Sequence, residues 1–420
     1  MKKYDVIIIG AGASGLVTAI VSARRGKKVL ILEKNSKVGK KLLATGNGKC
    51  NITNQRPMPD RFYSHNPKFV LEVLEGYGYQ GVKNFFKSVG LELIEGKEGK
   101  VFPMSLQASS VVEILEAECH YLGVKISCEV DVNKIKKTKK GYDVFFDNKN
   151  ISAYSVVVST GHLSAPQLGG VDSGTVFAKH FDHKIFKPFP TLVQLNSHVN
   201  NLDKMAGVKV ESRVSFTSQK GVKIQKQGDV LFTSYGLSGL AILDISRHVI
   251  EELIHTPKVV LEIDLMPKMS REQLLALFKK SLLQKDLLQK DLFKTSPKPL
   301  TIWLQGFINK KLIVPILEPL KLENTTVASL LSNKKSLKIL EEIVNKIKCF
   351  NFQVDGSRGY KGAEVVAGGV DTKEINPMTL ESKKHRGLYF TGEVLDVDGD
   401  RGGFNLHFAW VCGLRAGQSL

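Results

Sequence analysis

The sequence predicts an α/β fold: a Rossmann-like core of parallel strands that carries an inserted β and helical segment. Three observations predict it. A short apolar run, Tyr4 to Ile9, breaks into the glycine turn Gly10-Ala11-Gly12-Ala13-Ser14-Gly15 and then into a helical pattern. Two further apolar runs, "SVVVSTGH" and "GLYFTGE", break at Thr-Gly pairs far along the chain, Thr160-Gly161 and Thr391-Gly392. Between them lie a stretch of strand-like alternation, residues 191–250, and a helix-like stretch, residues 270–345.

Taken in order, the first run is of the kind found in strands buried on both faces, as parallel strands are. The helix after the glycine turn is read as amphipathic and ends near Arg25-Gly26; a second apolar strand, Lys28 to Leu32, ends at Glu33. A lone GxGxxG says little. Here the strand before, the helix after and an acidic residue 23 positions past the first glycine complete a βαβ unit that binds a dinucleotide. Gly10 makes the tight turn, Gly12 admits the pyrophosphate, and Gly15 lets helix and strand pack closely. Glu33 is suited to accept hydrogen bonds from a ribose, which favours an adenosine without a 2′-phosphate.

A nicotinamide-binding domain would continue with further βαβ units. This chain runs instead into the polar loop "ATGNGKCNITN" (residues 44–54), a helical stretch from Pro67 to Val89, and a β-rich region from Val124 to Tyr154 with the basic turn "KIKKTKKGY". Pro188-Phe189-Pro190 punctuates a boundary, after which "SRVSFTSQKGVKIQKQ" reads as a hairpin. "LLQKDLLQKD" (Leu282 to Asp291) duplicates five residues, too short a period for a solenoid, and reads as a helix with charged and apolar faces. The glycine-rich "DGSRGYKGAE" returns the chain to its first domain, and a late acidic glycine turn precedes a C-terminal helix.

Composition bounds the function. The chain has 420 residues, 42% hydrophobic and 24% charged, which is globular and long enough for two or three domains. No apolar run approaches the roughly 20 residues that span a bilayer, and the start lacks the pattern of a signal peptide. Cys50, Cys119, Cys128, Cys349 and Cys412 form no CxxC pair. They are read as reduced thiols of a cytoplasmic protein, without a metal site. The net charge is +19. Between Met266 and Phe350 there are 16 basic and 7 acidic residues, so this fifth of the chain is about three times as basic per residue as the rest. A polyanion such as RNA is one explanation. The other is a lysine-rich composition set by an AT-rich genome.

The segments "GKKLLATGNGKCNITN", "LFTSYGLSGLAILDISR", "AEVVAGGV" and "GLYFTGEVLDVDGDRGGFNLHFAW" resemble the YhiN/BaiN-like flavoproteins, a group also described as NAD(P)/FAD-dependent or aminoacetone-oxidase-family FAD-binding enzymes. The resemblance covers nearly the whole chain. It implies a Rossmann-like, two-dinucleotide-binding-domain FAD fold with an inserted β-barrel-like plus helical domain. The boundaries expected are 1–190 and 359–420 for the FAD domain, 191–255 with 343–358 for the β subdomain, and 256–342 for the helical one. The sequence departs from the family's usual residues at Thr45 and Lys49 in the polar loop, at Ser159 and His162 on either side of Thr160-Gly161, and at Ser234, where the family commonly has histidine.

The resemblance implies FAD as cofactor and NAD(P)H as electron donor, although the chain holds no second complete GxGxxG unit. The expected FAD contacts are Gly10, Gly12, Ala13, Ser14 and Gly15; Glu33 and Lys34; Gly39, Lys41, Gly46, Gly48 and Asn51; Val132; Thr160 and Gly161; and Gly392, Glu393, Gly402, Gly403, Asn405 and Leu406. Asp396 and Asp398 touch the cofactor or only shape the turn. Cys50 is the catalytic candidate. A reduced flavin delivers hydride to one end of a polarised double bond, and the other end needs a proton from an acid, which a thiol tuned by Lys49 can supply. The alternative is that Cys50 packs as a small hydrophobe. His407, His162 and Tyr235 are pocket or packing residues. The expected activity is an FAD-dependent oxidoreductase that reduces a uridine of large-subunit ribosomal RNA to dihydrouridine, with the basic insertion holding the RNA. The rivals are a small-molecule flavin enzyme, oxidising an amine or reducing an enone, and a non-enzymatic RNA-binding protein.

Overall fold

A computed structural model describes residues 4–283 and 298–420. The greater part of the helix expected over Leu282–Asp291 lies outside them. Among the described residues no helix is long and apolar enough to cross a membrane. The chain divides into two units: the first comprises residues 1–191 and 360–420, the second residues 192–359.

In the first unit the apolar run Tyr4–Ile9 (β1) is the middle of a seven-stranded sheet. It pairs in parallel with Val29–Leu32 (β2) on one side and with Lys149–Val158 on the other. Lys125–Ser127 extends the sheet beyond β2, again in parallel. The strand Lys149–Val158 serves two neighbours. Its first half pairs antiparallel with Gly141–Phe146, and its last residues, Val156–Val158, pair in parallel with Leu388–Phe390. The expected α/β class is borne out. Two local readings change. The basic "KIKKTKKGY" is largely strand, Lys134–Thr138, with only Lys139-Lys140 left as the turn. The helical stretch from Pro67 is two helices, Pro67–Leu74 and Tyr79–Ser88, broken at the glycines between them.

The helix after the glycine turn, Ala13–Arg24 (α1), is not amphipathic: Ser14 to Ile20 are all buried. The C-terminal helix, Phe404–Ser419, packs along it. The approach is close because Gly413 and Gly417 face it; a Cβ on Gly413 would lie 2.7 Å from the Ser14 carbonyl, and one on Gly417 2.6 Å from Val21 Cβ.

The second unit contains a closed six-stranded barrel, in the order Leu195–Ser197, Gly236–Ser238, Lys223–Thr233, Lys209–Thr217, Val259–Asp264 and Phe350–Ser357, which pairs back onto the first strand. Alternation along each strand turns Val214, Phe216, Phe232, Leu261, Ile263 and Phe352 into its buried core. Residues from Leu240 are not strand as expected but a helix, Leu240–Leu253. Ala241, Ile242, Ile245 and Val249 recur at helical spacing on one buried face. Further helices include Arg271–Leu283, Lys310–Leu317 and Ser336–Lys348. Phe278, Trp303 and Phe307 form their aromatic cluster, with centroids 4.8–5.0 Å apart.

Candidate functional site

Because β1, β2, Lys149–Val158 and Leu388–Phe390 all run parallel, their C-terminal ends share one edge of the sheet. Open α/β sheets bind ligands outside that edge. Four of the expected groups therefore meet there: the turn after Ile9, Glu33 after Leu32, Thr160-Gly161 after Val158, and Thr391-Gly392-Glu393 after Phe390. Hydrogen bonds lock them. Ser159 donates from its amide to Ile9 O (2.9 Å) and from its hydroxyl to Gly10 O (2.9 Å). The Thr391 amide donates to Val158 O (3.0 Å), and Ser14 Oγ reaches Thr391 O (3.3 Å).

The three glycines of the first turn differ. Gly10 has φ +101°, and a Cβ there would lie 2.5 Å from Ser159 O. A Cβ on Gly15 would lie 2.1 Å from Gly10 O. Gly12 is the opposite case: a Cβ would meet no protein atom within 4 Å, at the residue that starts α1. Space at a helix N-terminus is where a pyrophosphate sits. Gly48 is similarly open, and the nearest atom to a Cβ on Gly161 is Glu393 Oε2 at 3.6 Å. Glu33 is buried; Oε2 accepts from the Ala11 amide (2.7 Å) and Oε1 from both nitrogens of Asn35 (2.7 and 2.8 Å). Lys34 extends from the same bend to an exposed ion pair with Asp131 (2.8 Å), next to buried Val132.

Lys41 and Glu393, 352 residues apart, form an ion pair at 2.6 Å. Lys41 Nζ also donates to Ser164 Oγ, which in turn donates to Glu393 Oε1 (2.8 Å), and the Val366 amide donates to that oxygen (3.1 Å). Burial pushes the Glu393 carboxyl up, but the Lys41 ammonium and the Ser164 hydroxyl outweigh it, and the net shift is down. Two buried groups beside this cluster have no hydrogen-bond partner: His162 Nε2 and Thr391 Oγ1. His162 Nδ1 accepts from the Leu163 amide (2.8 Å), which leaves Nε2 carrying the proton. Burial lowers the pKa of this ring, so it is neutral. A buried donor left unpaired is costly. Together with the space at Gly12 and Gly48, these groups fit a ligand with phosphate, hydroxyl and carbonyl oxygens.

The polar loop is strained and far-reaching. Gly46, Asn47, Gly48 and Cys50 all have positive φ, between 55° and 79°. A Cβ on Gly46 would lie 2.9 Å from the Asn51 amide nitrogen, and one on Gly39 2.8 Å from Val112. Asn51 Oδ1 accepts from the Val101 amide (3.2 Å). The loop's far end is tied to the C-terminal turn: Asn54 Nδ2 donates to Gly402 O (3.2 Å), Trp410 Nε1 to Ile52 O (2.9 Å), and Thr53 Oγ1 bonds His407 Nδ1 (2.7 Å). Gly403 fits because a Cβ would lie 2.4 Å from Thr53 O. Asn405 spends its amide on Gly399, donating to O and accepting from N at 2.8 Å each, and Leu406 is partly buried.

Cys50 is fully buried, and burial pushes its thiol up to about 11; a hydrogen bond to Thr45 opposes this. Burial, and not Lys49, sets its acidity. His407 is a bridge: Nε2 donates to Tyr77 O (3.0 Å), so Nδ1 accepts from Thr53, and burial lowers the ring to about 4. Asp396 accepts from the His65 amide (2.9 Å) and ring (3.0 Å), yet burial raises its carboxyl. Tyr235 lies in the second unit beneath the Arg358 guanidinium, 4.7 Å from its ring centroid. Sequence reasoning did not find Ser159, Ser164 or the His65–Asp396 pair. Each is defined by partners more than a hundred residues away, and no local spacing marks it.

The comparisons agree with this geometry. The family model described as the HI0933-like protein Rossmann domain matches residues 4–419. The chain is 35% identical to a 3-dehydro-bile acid delta(4,6)-reductase of Clostridium scindens, over 98% of both chains. It is 32% identical to a ribosomal RNA dihydrouridine synthase of Haemophilus influenzae, over 98% of this chain and 97% of the relative. It is 30% identical to one of Escherichia coli, over 100% and 98%. Among solved structures, 3-ketosteroid delta1-dehydrogenase from Sterolibacterium denitrificans matches with a TM-score of 0.53, 12% identity, and coverage of 100% and 99%, a likeness of fold alone. The chain belongs to the HI0933-like family, the YhiN/BaiN-like group of the sequence reading, and is an FAD-dependent oxidoreductase.

Proposed function

We propose that the protein reduces the C5–C6 double bond of a uridine in large-subunit ribosomal RNA to give dihydrouridine. The observation that carries this reading is surface charge. Lys280, Lys310, Lys321, Lys334, Lys335 and Lys338 are exposed, and none holds an ion pair with a described residue. Unpaired cations concentrated in one unit suit a phosphate backbone and serve no purpose toward a neutral small molecule. The two relatives that are ribosomal RNA dihydrouridine synthases support the same choice.

In this reading Gly12 and the N-terminus of α1 receive the FAD pyrophosphate, and Glu33 turns toward the adenosine ribose. Gly10 and Gly15 keep the turn closed behind it. Thr160, Gly161, Thr391 and Gly392 border the ribityl chain, with Lys41 and Glu393 fixing the edge between them. Gly46, Gly48, Asn51, Gly402, Gly403 and Leu406 would hold the flavin ring. Bound FAD, once reduced by NAD(P)H, would supply the hydride. Cys50 gives the proton to the carbon beside the uracil carbonyl. A thiol raised to about 11 is fully protonated at neutral pH, and it donates to a carbanion-like carbon, a far stronger base than a thiolate.

The test compares ribosomal RNA from wild-type and deletion strains for dihydrouridine. Loss of one modified position in the deletion strain, restored by the gene, is expected. Charge reversal at Lys279, Lys280, Lys334 and Lys335 weakens RNA binding and leaves the flavin spectrum unchanged. A second reading, reduction of a small-molecule enone, is favoured by the 35% identity to the Clostridium scindens reductase. It needs the same hydride and proton. Identical RNA profiles, with turnover of an enone in the absence of RNA, would establish it instead.

A further inference from the structure

A polar cavity of about 420 Å³ lies on the outer face of the barrel in the second unit. Arg213 and Ser215 alternate with Val214 and Phe216, which point into the barrel core, so the first two face outward. Five cations line the cavity, and two of them are neutralised. Lys348 pairs with Asp264 at 2.7 Å, both side chains nearly buried, and Lys268 pairs with Glu211 at 2.7 Å. Arg213, Lys223 and Arg271 hold no ion pair among the described residues, and Glu262 is the one lining carboxylate outside such a pair. The unpaired charge of the lining is therefore positive.

Arg213 adds an independent observation. Its Nε is buried and has no acceptor, and its Nη2 reaches only Pro267 O, at 3.5 Å. A guanidinium so placed wants an oxyanion, which accepts from two of its nitrogens at once. The cavity also takes in the start of the helix Arg271–Leu283, where Ser270 Oγ accepts from the Gln273 amide (3.2 Å). The positive end of that helix adds to the attraction.

We propose that this cavity binds a phosphate of the RNA backbone, through Arg213 and Arg271 with Lys223 at the mouth. The inference rests on the ribosomal RNA reading and names where the strand is held outside the flavin site. The volume suits a phosphate with its ribose, and Ser215 and Gln225 offer neutral hydrogen bonds to the sugar.

The experiment uses the FAD-loaded full chain and a fluorescein-labelled oligouridylate, with affinity measured against salt. Each phosphate contact contributes about 0.7 to the log–log slope for a single strand. Arg213→Gln with Arg271→Gln is expected to reduce the slope by about 1.4. Lys223→Gln, at a residue whose exposed side chain holds no hydrogen bond or ion pair among the described residues, guards against misfolding and is expected to reduce it by about 0.7. Lys136→Gln with Lys137→Gln removes the same charge from an exposed hairpin of the first unit and is expected to leave the slope unchanged. Bound RNA is expected to shield Cys349, in the cavity lining, from a maleimide. A steep wild-type slope that the cavity variants do not change, or equal labelling of Cys349 with and without RNA, overturns this site and leaves the RNA reading standing. A wild-type protein with no salt-dependent affinity for the oligonucleotide overturns both.

Discussion

Gly12 and Gly15 belong to one motif, yet substitution should fail in opposite ways. At Gly15 a methyl group would sit 2.1 Å from Gly10 O and 2.7 Å from Ser159 Oγ. The first of these atoms is backbone, so α1 must withdraw from the sheet by roughly an ångström. Overpacking of this kind costs about 1–3 kcal/mol. At Gly12 a side chain meets no protein atom, and φ of −84° admits valine. The fold should therefore change by less than about 0.5 kcal/mol, as at an ordinary surface position. The ligand decides the rest. With FAD at a hundred times its dissociation constant, wild-type protein gains about 2.7 kcal/mol. That raises the melting temperature by roughly 5–10 °C for a domain of this size. The assay is thermal unfolding of apo-protein with and without FAD. Gly12→Val is expected to melt with wild-type apo-protein and to show no FAD shift. Gly15→Ala is expected to melt several degrees lower before any FAD is added. Equal destabilisation of the two apo-proteins, or a full FAD shift in Gly12→Val, would refute the assignment of Gly12 to the cofactor's space.

Three further outcomes are expected. The folded His407 ring titrates near 4 and an unfolded one near 6.5. Stability is therefore retained above pH 6.5 and lost as pH falls toward 4, by about 3 kcal/mol in all; urea unfolding of His407→Gln should show a flatter profile across that window. Glu393 is shifted the same way from a lower starting value, so its contribution is present above the ordinary carboxylate range and is lost as pH falls through its depressed value. Glu393→Gln should flatten the acid limb, and should cost on the order of 1–2 kcal/mol at neutral pH, less than a fully buried pair because Lys41 keeps contact with water. Cys50→Ala should retain FAD and RNA affinity and slow product formation at least about a hundredfold, the usual worth of a general acid; unchanged single-turnover rates would make Cys50 a packing residue.

How much could be read from the sequence follows the range of the interactions. The glycine turn, β1, α1 and β2 are contiguous, so apolar runs and glycine spacing disclosed them. Leu388–Phe390 was legible as a strand, but its pairing with Val156–Val158 was not, since its neighbour lies more than two hundred residues earlier. The helix Leu240–Leu253 was misread because it follows four barrel strands whose alternation colours the whole stretch. The burial of both faces of α1 likewise depends on the C-terminal helix, and no periodicity within α1 announces it.

The polar loop shows why composition identifies a site before it identifies a role. Its asparagines, threonines and glycines announced backbone that neither helix nor strand would satisfy. Such backbone must find partners elsewhere when it is buried. The Ile52 carbonyl finds its partner at the other end of the chain, on Trp410, and two loop side chains join it there, Asn54 on Gly402 and Thr53 on His407. Several side chains that looked free to touch a cofactor are therefore engaged in joining the two halves of the first unit. Asn405 is engaged in the same way on Gly399. What the loop still offers a ligand is chiefly backbone, exposed where Gly48 has no side chain and nothing stands within 4 Å of its missing Cβ. On the proposed reading, a change of substrate would be accommodated at the departures in this loop, half-buried Thr45, which donates to Leu42 O (2.6 Å), and exposed Lys49.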